Sequence, residues 1–132
     1  MEKKVIKTDK APAAVAAYSQ AIKANGFIFV SGQIGLDPAT GKLAGSTAAQ
    51  QAMKALCNIS AILEAAGSGM DNVVKCTVLL DSIADYSEVN AVYSRFFPLD
   101  PPARAAYAVG KLPLGALVEI EAIALAENRA GN

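Results

Sequence analysis

Apolar positions fall in two rhythms along this chain. Alternating or continuous apolar runs predict six strands, at Val5 to Thr8, Gln20 to Ala24, Phe27 to Ser31, Val73 to Leu80, Arg104 to Val109 and Leu117 to Leu125. Asn25-Gly26 has the residues of a tight hairpin between the second and third, and Pro113-Leu114-Gly115 marks a turn between the last two. Spacings of three and four predict two helices. The first opens on a capping box, Thr47 with Gln50, runs through Met53, Leu56, Ile59, Ile62 and Leu63, and stops at Gly67. Asp85 with Glu88 repeats the device for the second helix, which passes Val89, Val92 and Phe96 and ends before Pro98. The order β-β-β-α-β-α-β-β is that of a single α+β domain over residues 1–132, with two helices on one face of a mixed sheet. Alternation along the last strand turns Val118, Ile120, Ala122 and Ala124 toward the helices and Leu117, Glu119, Glu121 and Ile123 away from them.

That second face carries two carboxylates among apolar residues, which suits a subunit interface containing a polar site better than a solvated surface. Composition points the same way. Of the residues, 53% are hydrophobic and only 18% charged, against about a quarter charged in typical domains. Copies of the chain are expected to bury the surplus apolar surface. Twelve basic residues balance twelve acidic ones. With no Lys/Arg stripe, the electrostatic footprint for nucleic acid is missing. Lys3, Lys4, Lys7 and Lys10 read as a solvated edge. No run approaches a membrane span and the first residues lack a signal-peptide core, so the expectation is a soluble, cytoplasmic protein, or an organellar one that has lost a targeting segment.

Histidine is absent. That excludes a Ser-His-Asp triad, a Cys-His pair, a histidine-ligated zinc and a two-histidine ribonuclease. Cys57 and Cys76 lack metal-ligand spacing and are expected to pack as small apolar groups. No metal and no cofactor are expected, which leaves carboxylate, guanidinium, hydroxyl, backbone and water for any chemistry. Arg104 stands out in Pro101-Pro102-Ala103-Arg104-Ala105-Ala106-Tyr107, and Glu119 follows in Leu117-Val118-Glu119-Ile120. A guanidinium in apolar company needs a partner. Its planar fork matches a carboxylate, so the pair reads either as a site for a small anionic ligand or as a buried structural ion pair.

Taken whole, Pro102-Ala103-Arg104, Tyr107, Gly110, Leu112 and Val118-Glu119-Ile120 resemble the C-terminal signature of the RidA/YjgF family of enamine/imine deaminases. Val30-Ser31-Gly32-Gln33-Ile34-Gly35, Ala65-Ala66-Gly67, Val73-Val74-Lys75-Cys76-Thr77-Val78 and Val89-Asn90-Ala91-Val92-Tyr93 are similar to that family too, in its order and spacing. The resemblance runs from about Lys10 to Ala126. It implies a chorismate-mutase-like fold and a homotrimer with uncovered sheet faces inward. It also implies cofactor-free hydrolysis of 2-enamino or 2-imino acids, released by pyridoxal-phosphate enzymes, to 2-keto acids and ammonia. Such an enzyme serves metabolite damage control.

By the same resemblance, Arg104 clamps the substrate carboxylate and Glu119 holds the attacking water and shuttles a proton, with Glu121 as the rival carboxylate. Tyr18 closes the pocket, and Ser31 and Gly32 let backbone approach the ligand. Asn90 contacts the substrate or serves the structure, and the carbonyl of Ala106 faces the substrate where many members have cysteine. Ala16-Ala17 replaces the usual Gly-Pro ahead of Tyr18. Two other readings stay open. One is a non-catalytic trimer that binds 2-keto acids; the other is a ribonuclease or translation inhibitor, against which the neutral charge and missing histidine count.

Overall fold

The computed structural model describes residues 2–127; the ends of the 1–132 reading, Met1 and residues 128–132, lie outside the described residues. Strands β1 (Lys4–Ile6), β2 (Ala21–Ala24), β3 (Phe27–Ile34), β4 (Val73–Leu80), β5 (Ala103–Ala108) and β6 (Val118–Leu125) form one sheet in the order β1-β2-β3-β6-β4-β5. Helix α1 (Ala48–Ala65) precedes β4, and α2 (Tyr86–Phe96) joins β4 to β5. That helical crossover is what a parallel pair requires, and β4–β5 is the parallel pair of an otherwise antiparallel sheet. The α+β architecture expected from the sequence is therefore present. β5 and β6 are not neighbours, however, because β4 lies between them.

Both helices cover one face of the sheet. Ala52, Ala55, Leu56, Ile59, Ile62 and Leu63 of α1 are buried against Ile28, Val30, Val78, Val118 and Ile120 of the strands. Each large apolar side chain among them contributes about 1.5–3 kcal/mol of transfer free energy, so the stripe alone fixes the helix on the sheet. Met53 and Cys57 depart from expectation, for both are exposed. They stand four residues apart on the ridge next to the buried stripe, about 100° round the helix from Ala52 and Leu56. Cys76 packs in the core as expected, and burial pushes its thiol pKa up.

The α1 capping box forms in both directions. Thr47 Oγ1 accepts from the Gln50 amide at 3.1 Å, and Gln50 Oε1 accepts from the Thr47 amide at 3.2 Å. The second box does not form. Asp85 is itself helical, ending a 3-10 turn over Ile83–Asp85 that Ser82 caps, and its side chain makes no capping bond. Glu88 instead crosses to α1 and accepts from the Ala49 amide at 2.9 Å, where a carboxylate meets the positive end of that helix.

Asn25 and Gly26 both have positive φ, 51° and 84°, as the two-residue hairpin between β2 and β3 demands. β1 stops before Thr8 because Gln20 takes over that residue's backbone groups. Its Oε1 accepts from the Thr8 amide at 2.7 Å and its Nε2 donates to the Thr8 carbonyl at 3.0 Å. β3 runs on past Ser31 through a bulge that sets Ser31 and Gly32 opposite Glu121. On β6 the alternation holds from Val118 to Ala124. Leu117, just before the strand, breaks it by packing against the main core. The face away from the helices exposes Val5, Phe27 and Phe29, the two phenyl rings 6.2 Å apart.

Candidate functional site

Arg104 and Glu119 do not meet. Arg104 is in register with Cys76, and Cys76 with Ala122, all on the helix side of the sheet. Glu119 is in register with Leu79 and Ile34 on the other side. A strand and a sheet face thus separate the two within one chain, so the structural ion pair that the sequence left open does not form inside the monomer. Among the described residues the recorded ion pair is the surface contact of Lys111 with Asp81 at 3.7 Å.

What Arg104 has instead is a cradle of neutral groups. Its Nη1 donates to Asn90 Oδ1 at 2.7 Å and its Nη2 to the Tyr86 hydroxyl. The guanidinium carbon lies 4.9 Å from the centre of the Tyr93 ring and 5.5 Å from that of Tyr86, within cation–π range. Burial pushes the Tyr93 phenol far up, so it stays neutral. Among the described residues the phenol has no well-aligned hydrogen-bond partner, although the Cys76 thiol is beside it. A concavity of about 380 Å³ opens here, walled by Asn90, Tyr93, Phe97, Pro102 and Arg104. Ala106 follows two residues on along β5, half-buried against the core. The sequence reading missed Tyr86 and Tyr93. Their signal was the spacing Tyr86, Asn90, Tyr93, which puts three side chains with polar atoms on one stripe of α2.

The remaining predicted residues gather on the other face. Tyr18, Ser31, Gly32 and Glu119, with Glu121, line a second concavity of about 920 Å³. The bulge explains the grouping. Gly32 passes so close under Glu119 that a Cβ there would overlap Oε2 and lie 2.9 Å from the carboxyl carbon, so only glycine leaves the carboxylate in place. Ser31 ties in the segment that carries Tyr18, its hydroxyl donating to the Ser19 carbonyl at 2.6 Å and its amide to the Gln20 carbonyl at 3.0 Å. Ala16-Ala17 turns the chain just before Tyr18, whose amide donates to the Ala16 carbonyl at 2.8 Å. Tyr18 is half exposed. Burial, and then the charge of Glu121, raise the pKa of Glu119. Flanking Leu79 and Ile34, both part of a small apolar cluster with Leu112 and Ala116, account for the desolvation. Among the described residues no three His, Cys, Asp or Glu side chains cluster as a metal site, and no helix is long and apolar enough to cross a membrane.

A family model described as endoribonuclease L-PSP matches residues 8–126. The chain belongs to this family. RidA and YjgF proteins are among its relatives. A Bos taurus protein named 2-iminobutanoate/2-iminopropanoate deaminase is 54% identical over 123 residues, 93% of this chain and 90% of its own length. The Arabidopsis thaliana protein named Reactive Intermediate Deaminase A, chloroplastic, is 47% identical over 94% of this chain and 66% of its own. The crystal structure of the E. coli YjgF gene product superimposes with a TM-score of 0.89 at 41% identity, covering 92% of this chain and 98% of that one.

Proposed function

We propose that this protein hydrolyses 2-imino acids, and their enamine tautomers, to 2-keto acids and ammonia, in a pocket completed by a second copy of the chain. The observation that carries this reading is the unneutralised Arg104, held by two neutral acceptors with further N–H groups free for a carboxylate fork. Deaminase names among relatives about half identical supply the substrate class. In the reaction, Arg104 fixes the carboxylate and so the imine carbon. Glu119 takes a proton from water as the oxygen adds to that carbon, then gives it to the nitrogen. A second proton, from the hydroxyl of the carbinolamine so formed, passes through Glu119 to the same nitrogen as the C–N bond breaks, so ammonia leaves and the former water oxygen becomes the ketone. A raised proton affinity suits Glu119 to both halves of that shuttle. Tyr18 closes the pocket, Ser31 and Gly32 form its floor, and the Ala106 carbonyl and Asn90 complete the arginine side.

The partner follows from the separation of the halves. One chain cannot bring Arg104 to Glu119 across its own sheet, whereas a neighbour in a closed ring can. The apolar sheet face with Phe27 and Phe29 gives such a neighbour something to bury, which supports the homotrimer. The exposed, free Cys57 fits a reducing compartment such as the cytoplasm. Inactive Arg104→Lys and Glu119→Gln proteins, unfolded together and refolded as random trimers, test the arrangement. Each mixed trimer then holds one intact site, so about a quarter of wild-type turnover should return. Imine hydrolysis by the wild type with no such recovery would put both residues in one chain's site. A wild type that binds 2-oxobutanoate without hydrolysing imines would instead be the binding trimer.

A further inference from the structure

We propose that Tyr86 is a positioning residue for Arg104, orienting the guanidinium so that its free N–H groups present a carboxylate fork. The proposal rests on the deaminase reading above and concerns how its clamp is held. Arginine has a long, rotamer-rich side chain, and a guanidinium without an anion needs other groups to fix its plane. Tyr86, Asn90 and Tyr93 supply them from one stripe of α2. Asn90 fixes Nη1 and the Tyr93 ring lies against the guanidinium, but only Tyr86 does both things, accepting from Nη2 and placing its ring beside the cation. A tyrosine is suited to this because it stays neutral. A carboxylate at the same place would bond Nη2 more strongly and cancel the charge the substrate needs. Tyr86 itself need not touch the ligand.

Removing only the hydroxyl tests this. In Tyr86→Phe the ring remains, so the dissociation constant of 2-oxobutanoate, measured by calorimetry, should rise about threefold to tenfold, less than the full worth of a hydrogen bond to a charged group because free and bound protein both make the bond. KM for an imine generated in situ should rise with it while kcat stays within about twofold, because the clamp holds ground and transition states alike. In an Arg104→Lys background, where the fork is already lost, the same change should leave the residual kcat/KM unaltered. The melting temperature of Tyr86→Phe shows that the fold is intact. Tyr86→Leu, which also loses the ring, should weaken binding further. Unchanged binding in Tyr86→Phe, a fall confined to kcat, or an equal effect in the Arg104→Lys background would each overturn the proposal. A wild type that neither binds 2-oxobutanoate nor hydrolyses imines would overturn the deaminase reading, and this proposal with it.

Discussion

The two concavities are built by opposite means. On the helix side a cation is surrounded by neutral hydrogen-bond acceptors and aromatic rings, so its charge is kept and its plane is held. On the open side an anion sits over a glycine bulge between apolar neighbours and beside a second carboxylate, so its charge is discouraged. In the proposed reaction one half would attract a carboxylate and the other would accept and return a proton. Neither half can do both, and within one chain the sheet keeps the charges from neutralising each other. Had the two paired inside the monomer, the contact would have consumed the clamp.

The largest expected effects come from removing the two charged groups, and they should differ in kind. Glu119→Gln keeps the size and hydrogen-bonding capacity of the side chain but cannot carry the proton, so kcat should fall by about 10²-fold or more. Binding of 2-oxobutanoate should persist. Arg104→Lys should lose about 10²-fold in kcat/KM, and here keto-acid binding should fail as well, because an ammonium cannot form the two-bond fork. Both proteins should remain folded trimers by light scattering and thermal melting. If Glu119→Gln loses keto-acid binding while Arg104→Lys keeps it, the assigned roles of the halves are reversed.

A smaller effect is expected at Gly32, and it separates a functional close approach from a structural one. The three atoms nearest a Cβ at Gly32 all belong to the Glu119 side chain, which can swing away, and the backbone there needs no positive φ. Gly32→Ala should therefore fold with little change in melting temperature and lose about tenfold in kcat, since a displaced carboxylate no longer addresses the water. Gly35 makes the contrast. Its Cβ would overlap the Gln51 carbonyl oxygen and lie 2.7 Å from the Gln51 Cα, backbone of α1 that cannot yield. Gly35→Ala should destabilise the fold. A strongly destabilised Gly32→Ala would show that the bulge serves the sheet and not the carboxylate.

Much of this was legible in the sequence because it depends on local rules. Alternation in β6 announced the buried Val118, Ile120, Ala122 and Ala124, and Thr47 with Gln50 announced the start of α1. Asp85 with Glu88 has the same pattern but failed, because a tertiary contact to Ala49 and an upstream Ser82 cap captured the groups the box would use. The candidate residues could be named, and alternation put Glu119 on the face away from the helices, but Arg104 could not be assigned a face relative to it. That needed the sheet order, since β4 inserts between β5 and β6 and fixes Arg104 to one side and Glu119 to the other. Tyr86 escaped notice because a lone tyrosine on an amphipathic helix reads as packing. Only its meeting with Arg104 gives it chemical meaning.

The smallest expected effect concerns the neighbour of the anionic half. Glu119 has a raised pKa from burial first and from the charge of Glu121 second. Removing that charge in Glu121→Gln leaves the burial, so the Glu119 pKa should fall part of the way toward that of an ordinary carboxylate. Because Glu119 must be ionised to take the proton from water, the acid limb of the kcat profile should move to lower pH. Stability should follow with a defined sign. A carboxylate whose pKa is higher folded than unfolded loses the protein stability as pH rises through the interval between the two values. Glu121→Gln narrows that interval, so it should melt slightly higher than wild type at neutral pH. The difference should vanish in acid below the usual carboxylate range, where Glu119 is protonated in both states. An acid limb that stays where it was, with turnover otherwise normal, would assign the proton transfer to a group other than Glu119.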